Sequence, residues 1–152
     1  MTSLALKGEE RDVALAEVDA VRAAVQDAGY RERLDGLREA IEDDGVADPD
    51  ELAELERLVT IALQSGRIRA LYGPGGEQAL LRLYRKLPAG VELAQSAAAV
   101  GEALSGLQGR TLESVTLSAV GPGAFSLSIT AGGVQLKVNL DRQGARLASV
   151  EA

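Results

Sequence analysis

The chain of 152 residues contains no cysteine, no histidine and no tryptophan. Without cysteine it can form neither a disulfide nor a sulfur-ligated zinc or iron–sulfur site, and without histidine it lacks the commonest ligand of transition metals. Histidine is also the usual general base near neutral pH, so a Ser–His–Asp or Cys–His catalytic arrangement is excluded. We therefore expect no metal cofactor, and an enzyme would have to use carboxylates, Lys or Tyr.

Aromatic residues and long apolar runs are also scarce. The four aromatic residues are too few for the base-stacking platform of a single-strand binder, and a net charge of -7 repels phosphate backbones. The chain does not start with a basic segment and an apolar run, and no stretch approaches the roughly 20 apolar residues of a membrane span. We expect a cytoplasmic protein that binds neither nucleic acid nor membrane. The chain has 13 Arg but only 3 Lys, a bias that is typical of a GC-rich bacterial genome.

The first part of the chain shows helical periodicity. In residues 9–27 and 34–41, apolar residues recur every three or four positions, which predicts two helices with narrow apolar stripes. Asp48 and Pro49 are residue types typical of a helix N-cap and of the first helical position. The helix that they begin is apolar around more than half of its circumference, so we expect it to be central.

Glycine and proline divide the segment that follows. Residues 72–76 predict a break, with Pro74 and Gly75 in the middle of a type II turn. The next helix ends at residues 88–90, and another extends over residues 93–107. We expect the small residues of this last helix to allow close approach to a sheet; they are Ala97, Ala98, Ala99 and Gly101.

After Gly109 the period of apolar residues changes from 3.6 to 2, which predicts four strands in residues 112–117, 125–130, 134–140 and 145–150. Turn-forming residues separate the strands, so we expect consecutive antiparallel hairpins. Alternation places the apolar residues on one face and mostly serine and threonine on the other. This pattern is typical of a sheet that is covered on one side.

The predicted fold class is therefore α+β, with about four or five N-terminal helices followed by a four-stranded antiparallel β-meander that has helices covering one face. The chain length fits a single domain over residues 1–152. The alternative is a helical unit over residues 1–90 joined to an α-β4 unit over residues 91–152.

A basic segment around the glycine-rich turn is a candidate binding site for an anion or an acidic partner. Backbone N–H groups at a helix N-terminus can hold a phosphate, and positive side chains flank this turn. The candidate residues are Arg67, Arg69, Gly75, Gly76, Arg82, Arg85 and Lys86. The segment lacks the Gly-Lys-Ser/Thr of a P-loop, and the alternative interpretation is a plain turn with a helix start.

The acidic turn of residues 42–51 does not fit a calcium loop. When Gly45 is placed at the sixth position of an EF-hand, Ala40 falls at the first position, where an oxygen ligand is required. We therefore predict an acidic inter-helix turn and no metal site.

Two surfaces are candidates for contact with a protein partner. The stripe formed by Val18, Val21 and Val25 is a candidate seam for self-association, and the serine/threonine face of the sheet carries little charge and is easily covered. Charge is also segregated, since residues 1–56 carry 6 basic and 17 acidic groups whereas residues 57–86 carry 6 and 1. We expect these two segments to attract each other, within one molecule or between two.

These features favour a non-catalytic protein-interaction or adaptor module without cofactor. It would bind a partner, or a second copy, through its acidic N-terminal helices or its outer sheet face. The alternative is a regulatory domain that binds a small anionic ligand at the basic segment. An enzyme based on carboxylates or tyrosine is the least favoured class, and no catalytic residue is assigned.

Overall fold

The computed structural model describes residues 3–43 and 45–152. Met1, Thr2 and Asp44, the last in the predicted acidic turn, lie outside these ranges. Five helices precede a four-stranded antiparallel sheet, so the predicted α+β fold is confirmed. The elements are α1 (Gly8–Ala24), α2 (Ala28–Glu42), α3 (Pro49–Ser65), α4 (Arg67–Lys86), α5 (Pro88–Ser105), β1 (Leu112–Gly121), β2 (Ala124–Ala131), β3 (Val134–Asp141) and β4 (Gly144–Glu151). No described helix is both long and apolar enough to cross a bilayer.

Capping residues define the ends of α2 and α3. The Asp27 carboxylate accepts a hydrogen bond from the N–H of Tyr30 (2.9 Å), and the Asp48 carboxylate accepts one from the N–H of Asp50 (2.8 Å). The predicted start of α3 is therefore confirmed. Gly66 ends α3 with a φ of 71°, a left-handed conformation that glycine adopts without a steric penalty.

Helix α4 is interrupted at Gly73, where φ is 74° and ψ is -175°. The predicted break is thus in the right place, but the predicted type II turn is wrong. That turn needs a positive φ at Gly75, and the positive φ falls at Gly73 instead. Pro74 opens the second half of α4, where its missing N–H costs no helical hydrogen bond.

The chain forms two compact units, Met1–Gly90 and Val91–Ala152, with the boundary in the first turn of α5. We call them the helical unit and the sheet unit. In the helical unit, α1 and α3 each contact the other three of its helices. The largest buried side chains of its core are Leu34, Leu37, Ile41, Leu55, Ile68, Leu80, Leu83 and Leu87. Narrow apolar stripes are sufficient here because four helices bury them against one another.

The sheet unit contains a meander in which each strand pairs with its neighbour in sequence. Two-residue turns join the strands, as the turn-forming residues predicted. Gly132 and Gly133 both have positive φ (55° and 81°), which is the requirement of a type I′ hairpin turn.

Helix α5 packs on the apolar face of the sheet through Val100, Ala103 and Leu104, and Leu107 in the turn that follows the helix packs there too. The prediction that its small residues approach the sheet is wrong, because Ala97, Ala98, Ala99 and Gly101 are exposed. The close approach occurs instead at Gly144 in β4. A Cβ atom there would lie 2.7 Å from Leu93 Cδ1 and 3.1 Å from Ser96 Oγ, so these side chains of α5 would have to shift to admit a larger residue.

Candidate interaction surface

Two apolar rows cross all four strands on the face of the sheet that α5 covers. One row is Val115, Ile129, Leu136 and Val150, and the other is Leu117, Leu127, Val138 and Leu147. Directly opposed residues of antiparallel strands share a face, so each row is continuous. Helix α5 covers the middle of these rows, where Leu136 and Val138 are completely buried.

The ends of the two rows are left open. Val115 and Leu117 in β1 are 51% and 62% exposed, and Val150 in β4 is 52% exposed. A helix with its side chains is about 10 Å across, whereas strands lie about 4.8 Å apart, so one helix covers only part of a four-stranded sheet. The edge strands of this unit therefore present aliphatic side chains to solvent.

The apolar surface is widest on the side of β1. Phe125 in β2 lies opposite Ala119 of β1 and is 43% exposed, and Leu112 at the start of β1 is 61% exposed. All ten residues of β1 are exposed to solvent, which would not be so if another element covered the strand. Exposed apolar side chains that form a continuous patch indicate an interaction surface more strongly than scattered ones do.

Strand β1 is also an edge strand, since it pairs only with β2. Natural edge strands are usually protected by lysine, proline, irregular pairing or a covering segment. In β1 the only charged residue is Glu113, and there is no proline. Irregular pairing occurs at Glu113 and at Val120, so the regular part of the edge is residues 114–119. We call this edge and the exposed apolar side chains beside it the β1 surface.

The opposite, polar face of the sheet carries the serine/threonine stripe. Ser118, Ser126 and Asn139 lie side by side there on β1, β2 and β3. The Ser126 hydroxyl is buried and has no hydrogen-bond partner among the described residues. The sequence predicted that a partner binds this polar face. The exposed aliphatic residues lie instead on the apolar face, which α5 covers in part.

Most charges of the predicted basic segment are paired with buried glutamates of α1. Arg67 forms an ion pair with Glu17, which is only 3% exposed and also accepts a hydrogen bond from the Tyr72 hydroxyl (3.5 Å). The Glu10 carboxylate lies 2.8 Å from Lys86 Nζ and 3.6 Å from Arg82 Nε. The predicted attraction between the acidic and basic segments is therefore confirmed within one molecule.

The remaining residues of the predicted anion site are Arg69, Arg85, Gly75 and Gly76. Arg69 and Arg85 are exposed. Gly76 is buried, and a Cβ there would lie 2.3 Å from Tyr72 Cβ, so close packing accounts for this glycine. A Cβ at Gly75 would lie 3.2 Å from a carboxylate oxygen of Glu9, a neighbour that repels an anion.

The predicted seam on α1 belongs mostly to the core of the helical unit. Val18 is completely buried and Val21 packs against the same core. Val25 is partly buried just after the helix, and its carbonyl accepts a hydrogen bond from Arg31 Nε (2.5 Å). Val18 is therefore not available to a second copy.

Helices α2 and α3 border an acidic cleft of about 600 Å³, lined by Glu32, Arg33, Gly36, Asp48, Asp50, Glu51 and Glu54. Burial raises the pKa of Glu51, and the carboxylates of Asp48 and Glu39 raise it further. The described residues nevertheless hold no group of three or more acidic side chains arranged to bind a metal ion.

Tyr30, Glu54 and Arg57 form a polar cluster that joins α2 to α3. The Tyr30 hydroxyl donates to Glu54, and Arg57 donates to both. Burial and the hydrogen bond to Glu54 raise the pKa of Tyr30. Burial opposes ionisation of Glu54, but hydrogen bonds from Arg57 and Tyr30 outweigh it and lower the pKa of that carboxyl. The Tyr30 hydroxyl is thus a hydrogen-bond donor to Glu54.

The residues that sequence reasoning did not select are Leu112, Val115, Leu117 and Phe125. The sequence pattern assigned Phe125 to the apolar face of the sheet and placed the other three residues only in the first strand. The sequence feature that could have identified them is the composition of β1, which has one charged residue and no proline among its ten residues. Such a composition is unusual for an edge strand.

Comparison of the chain with protein-family models, with curated proteins and with solved structures gives no match.

Proposed function

We propose that the protein is a non-catalytic protein-interaction module and that its binding surface is the β1 surface. The observation that carries this proposal is the exposure of Val115 and Leu117 on an edge strand with a single charged residue. An open edge offers unpaired backbone N–H and C=O groups, and neighbouring apolar side chains add surface to be buried. Together these features are those by which a sheet accepts an additional strand.

The two alternative functions have less support. In the anion-binding alternative, Arg67, Arg82 and Lys86 would have to leave the glutamates with which they pair. In the enzyme alternative, Tyr30 would have to act as a base although its raised pKa keeps the hydroxyl protonated. Neither alternative uses the exposed apolar residues of the sheet.

Site-specific photo-crosslinking tests the proposal. A photoreactive amino acid is placed at Leu117, and in a matched variant at Gln64, an exposed position in α3 of the helical unit. In cells that produce the protein, irradiation of the Leu117 variant is expected to give a discrete protein adduct, and the Gln64 variant is expected to give none. An adduct with a second copy and an adduct with another protein both support a binding surface at β1.

The absence of any adduct at Leu117, or equal adducts at both positions, would contradict the proposal. A second crosslinking position at Val115 guards against a single unreactive geometry, because it lies on the same face of the same strand.

A further inference from the structure

The regular part of the β1 edge is short and uncharged, and polar and apolar side chains alternate along it. Residues 114–119 alternate serine or threonine with valine, leucine and alanine, and Val115 and Leu117 lie on one face. Irregular pairing at Glu113 and Val120 limits any added strand to this stretch. A partner strand must therefore match about six residues with small polar groups on one side and aliphatic groups on the other.

We infer that a second copy of the chain binds there, with the two β1 strands antiparallel around a two-fold axis. This inference rests on the proposed function and names its partner. Opposed residues of antiparallel strands point to the same face of the sheet. The apolar faces of the two copies therefore lie on the same side only if one residue is opposed by its own counterpart, with the two-fold axis passing between these two equivalent residues. We describe such an axis as passing through that residue. The two axes near the centre of the regular stretch pass through Thr116 or Leu117.

Both registers bring complementary side chains together. An axis through Thr116 places Val115 of each copy opposite Leu117 of the other, and Ser114 opposite Ser118. An axis through Leu117 places the two Leu117 side chains opposite each other, and Val115 opposite Ala119. Residues 114–119 carry no charge, so no like charges oppose each other within this stretch.

The available area fits a dimer. Leu112, Val115, Leu117 and Phe125 each expose about half of their surface, together on the order of 400 Å², a size at which patches on monomers are often functional. Two such patches and a backbone ladder reach the lower part of the range of about 1,200–2,000 Å² found for stable interfaces. A reversible, concentration-dependent dimer is the expected state.

The symmetry of the contact also favours a dimer over a longer assembly. Pairing of β1 with β1 uses the same edge in both copies and leaves no second β1 edge free. Pairing of β1 with β4 would be head-to-tail and would continue without end, but β4 carries Arg146 and Glu151 and pairs irregularly with β3. Charges and irregular pairing on an edge oppose the addition of a strand.

Sedimentation equilibrium of the wild-type chain and of two matched variants tests the inference. Val115 and Val150 are the two ends of one apolar row, on the same face, with 51% and 52% exposure. Val115→Lys is expected to raise the dimer dissociation constant at least about tenfold, because two ammonium groups would be desolvated at the interface. Val150→Lys is expected to leave it within about twofold of the wild-type value.

A wild-type chain that stays monomeric at the highest attainable concentration overturns the inference, and so does an equal loss of association in both variants. If the wild type is monomeric while Leu117 crosslinks to another protein, only the second copy is excluded and the proposed function stands. If Leu117 crosslinks to nothing, the proposed function itself fails.

Disulfide trapping keeps the inference testable if Val115→Lys does not fold. The chain contains no cysteine, so Thr116→Cys, Leu117→Cys and a control Ser149→Cys each carry one thiol. Ser149 lies in the same cross-strand row as Thr116 but in β4, at the other edge. Opposed Cβ atoms about 4.5–5.5 Å apart are close to disulfide range, so one of the two β1 variants should form a covalent dimer on mild oxidation. Failure of both, or equal dimerisation of the Ser149→Cys control, overturns the inference.

Discussion

The helical unit and the sheet unit distribute charge and apolar surface in opposite ways. The helical unit contains 30 charged residues among 90, and its buried Glu10 and Glu17 are paired with cations of α4. The sheet unit contains 9 charged residues among 62 and leaves the ends of its apolar rows exposed. One unit thus pairs its buried charges within itself, whereas the other leaves apolar side chains at the edges of its sheet exposed to solvent.

The largest expected effect separates a core leucine from an exposed one. Leu80 in α4 is completely buried, so Leu80→Ala should lower the free energy of unfolding by about 3 kcal/mol through lost burial and a residual cavity. Leu117→Ala should cost less than about 1 kcal/mol in the monomer, because most of that side chain is already in water. Urea denaturation followed by circular dichroism measures both values. Equal losses would mean that Leu117 is covered within the molecule.

A smaller effect is expected at the ion pair between α1 and α4. Arg67→Ala leaves the buried Glu17 carboxylate with Tyr72 as its remaining polar contact among the described residues. We expect the free energy of unfolding to fall by about 2 kcal/mol, less than for a fully buried ion pair because the arginine is partly exposed. Arg69→Ala is the matched control on the same helix. Arg69 is exposed and makes no ion pair among the described residues, so its loss should be below about 0.5 kcal/mol. Similar values for both variants would show that the buried pair contributes nothing.

The smallest effect concerns pH and should appear in the helical unit. Because the folded state lowers the pKa of Glu54, this group stabilises the fold at neutral pH, and the contribution is lost as pH falls from about 4.3, the ordinary glutamate value, through the lowered one. Glu54→Gln should remove this part of the acid dependence. After solvent screening, the difference should be below about 1 kcal/mol in urea midpoints measured across the acid range. Parallel pH curves for both proteins would contradict it.

Most of the fold follows from local patterns in the sequence. The change of period after Gly109 located the sheet, and Asp48 with Pro49 located the start of α3, because caps and periodicity are properties of a few neighbouring residues. The detail at Gly73 was not predictable in the same way. Either Gly73 or Gly75 could adopt a positive φ beside Pro74, and the local sequence does not distinguish them; the positive φ falls at Gly73.

The β1 surface could not be predicted because it depends on coverage. Alternation shows which residues share a face, but not how far a single helix extends across four strands, so Val115 and Leu136 look equivalent in sequence although one is exposed and the other buried. The pairing of Arg67 with Glu17 also joins residues distant in sequence. The segregation of charge predicted that the acidic and basic segments attract each other, but not which residues pair. Burial and ion pairing are set by residues distant in sequence, which local patterns do not reveal.

The two-residue turns of the meander have a consequence for folding kinetics. Every strand pairs with its neighbour in sequence, so the sheet forms through local contacts and short loops, which close quickly. Hairpins of this kind form in about 1–10 microseconds, faster than encounters between chains at ordinary protein concentrations. The first hairpin therefore protects the inner edge of β1 before another molecule arrives, and only its outer edge remains exposed to intermolecular pairing during refolding.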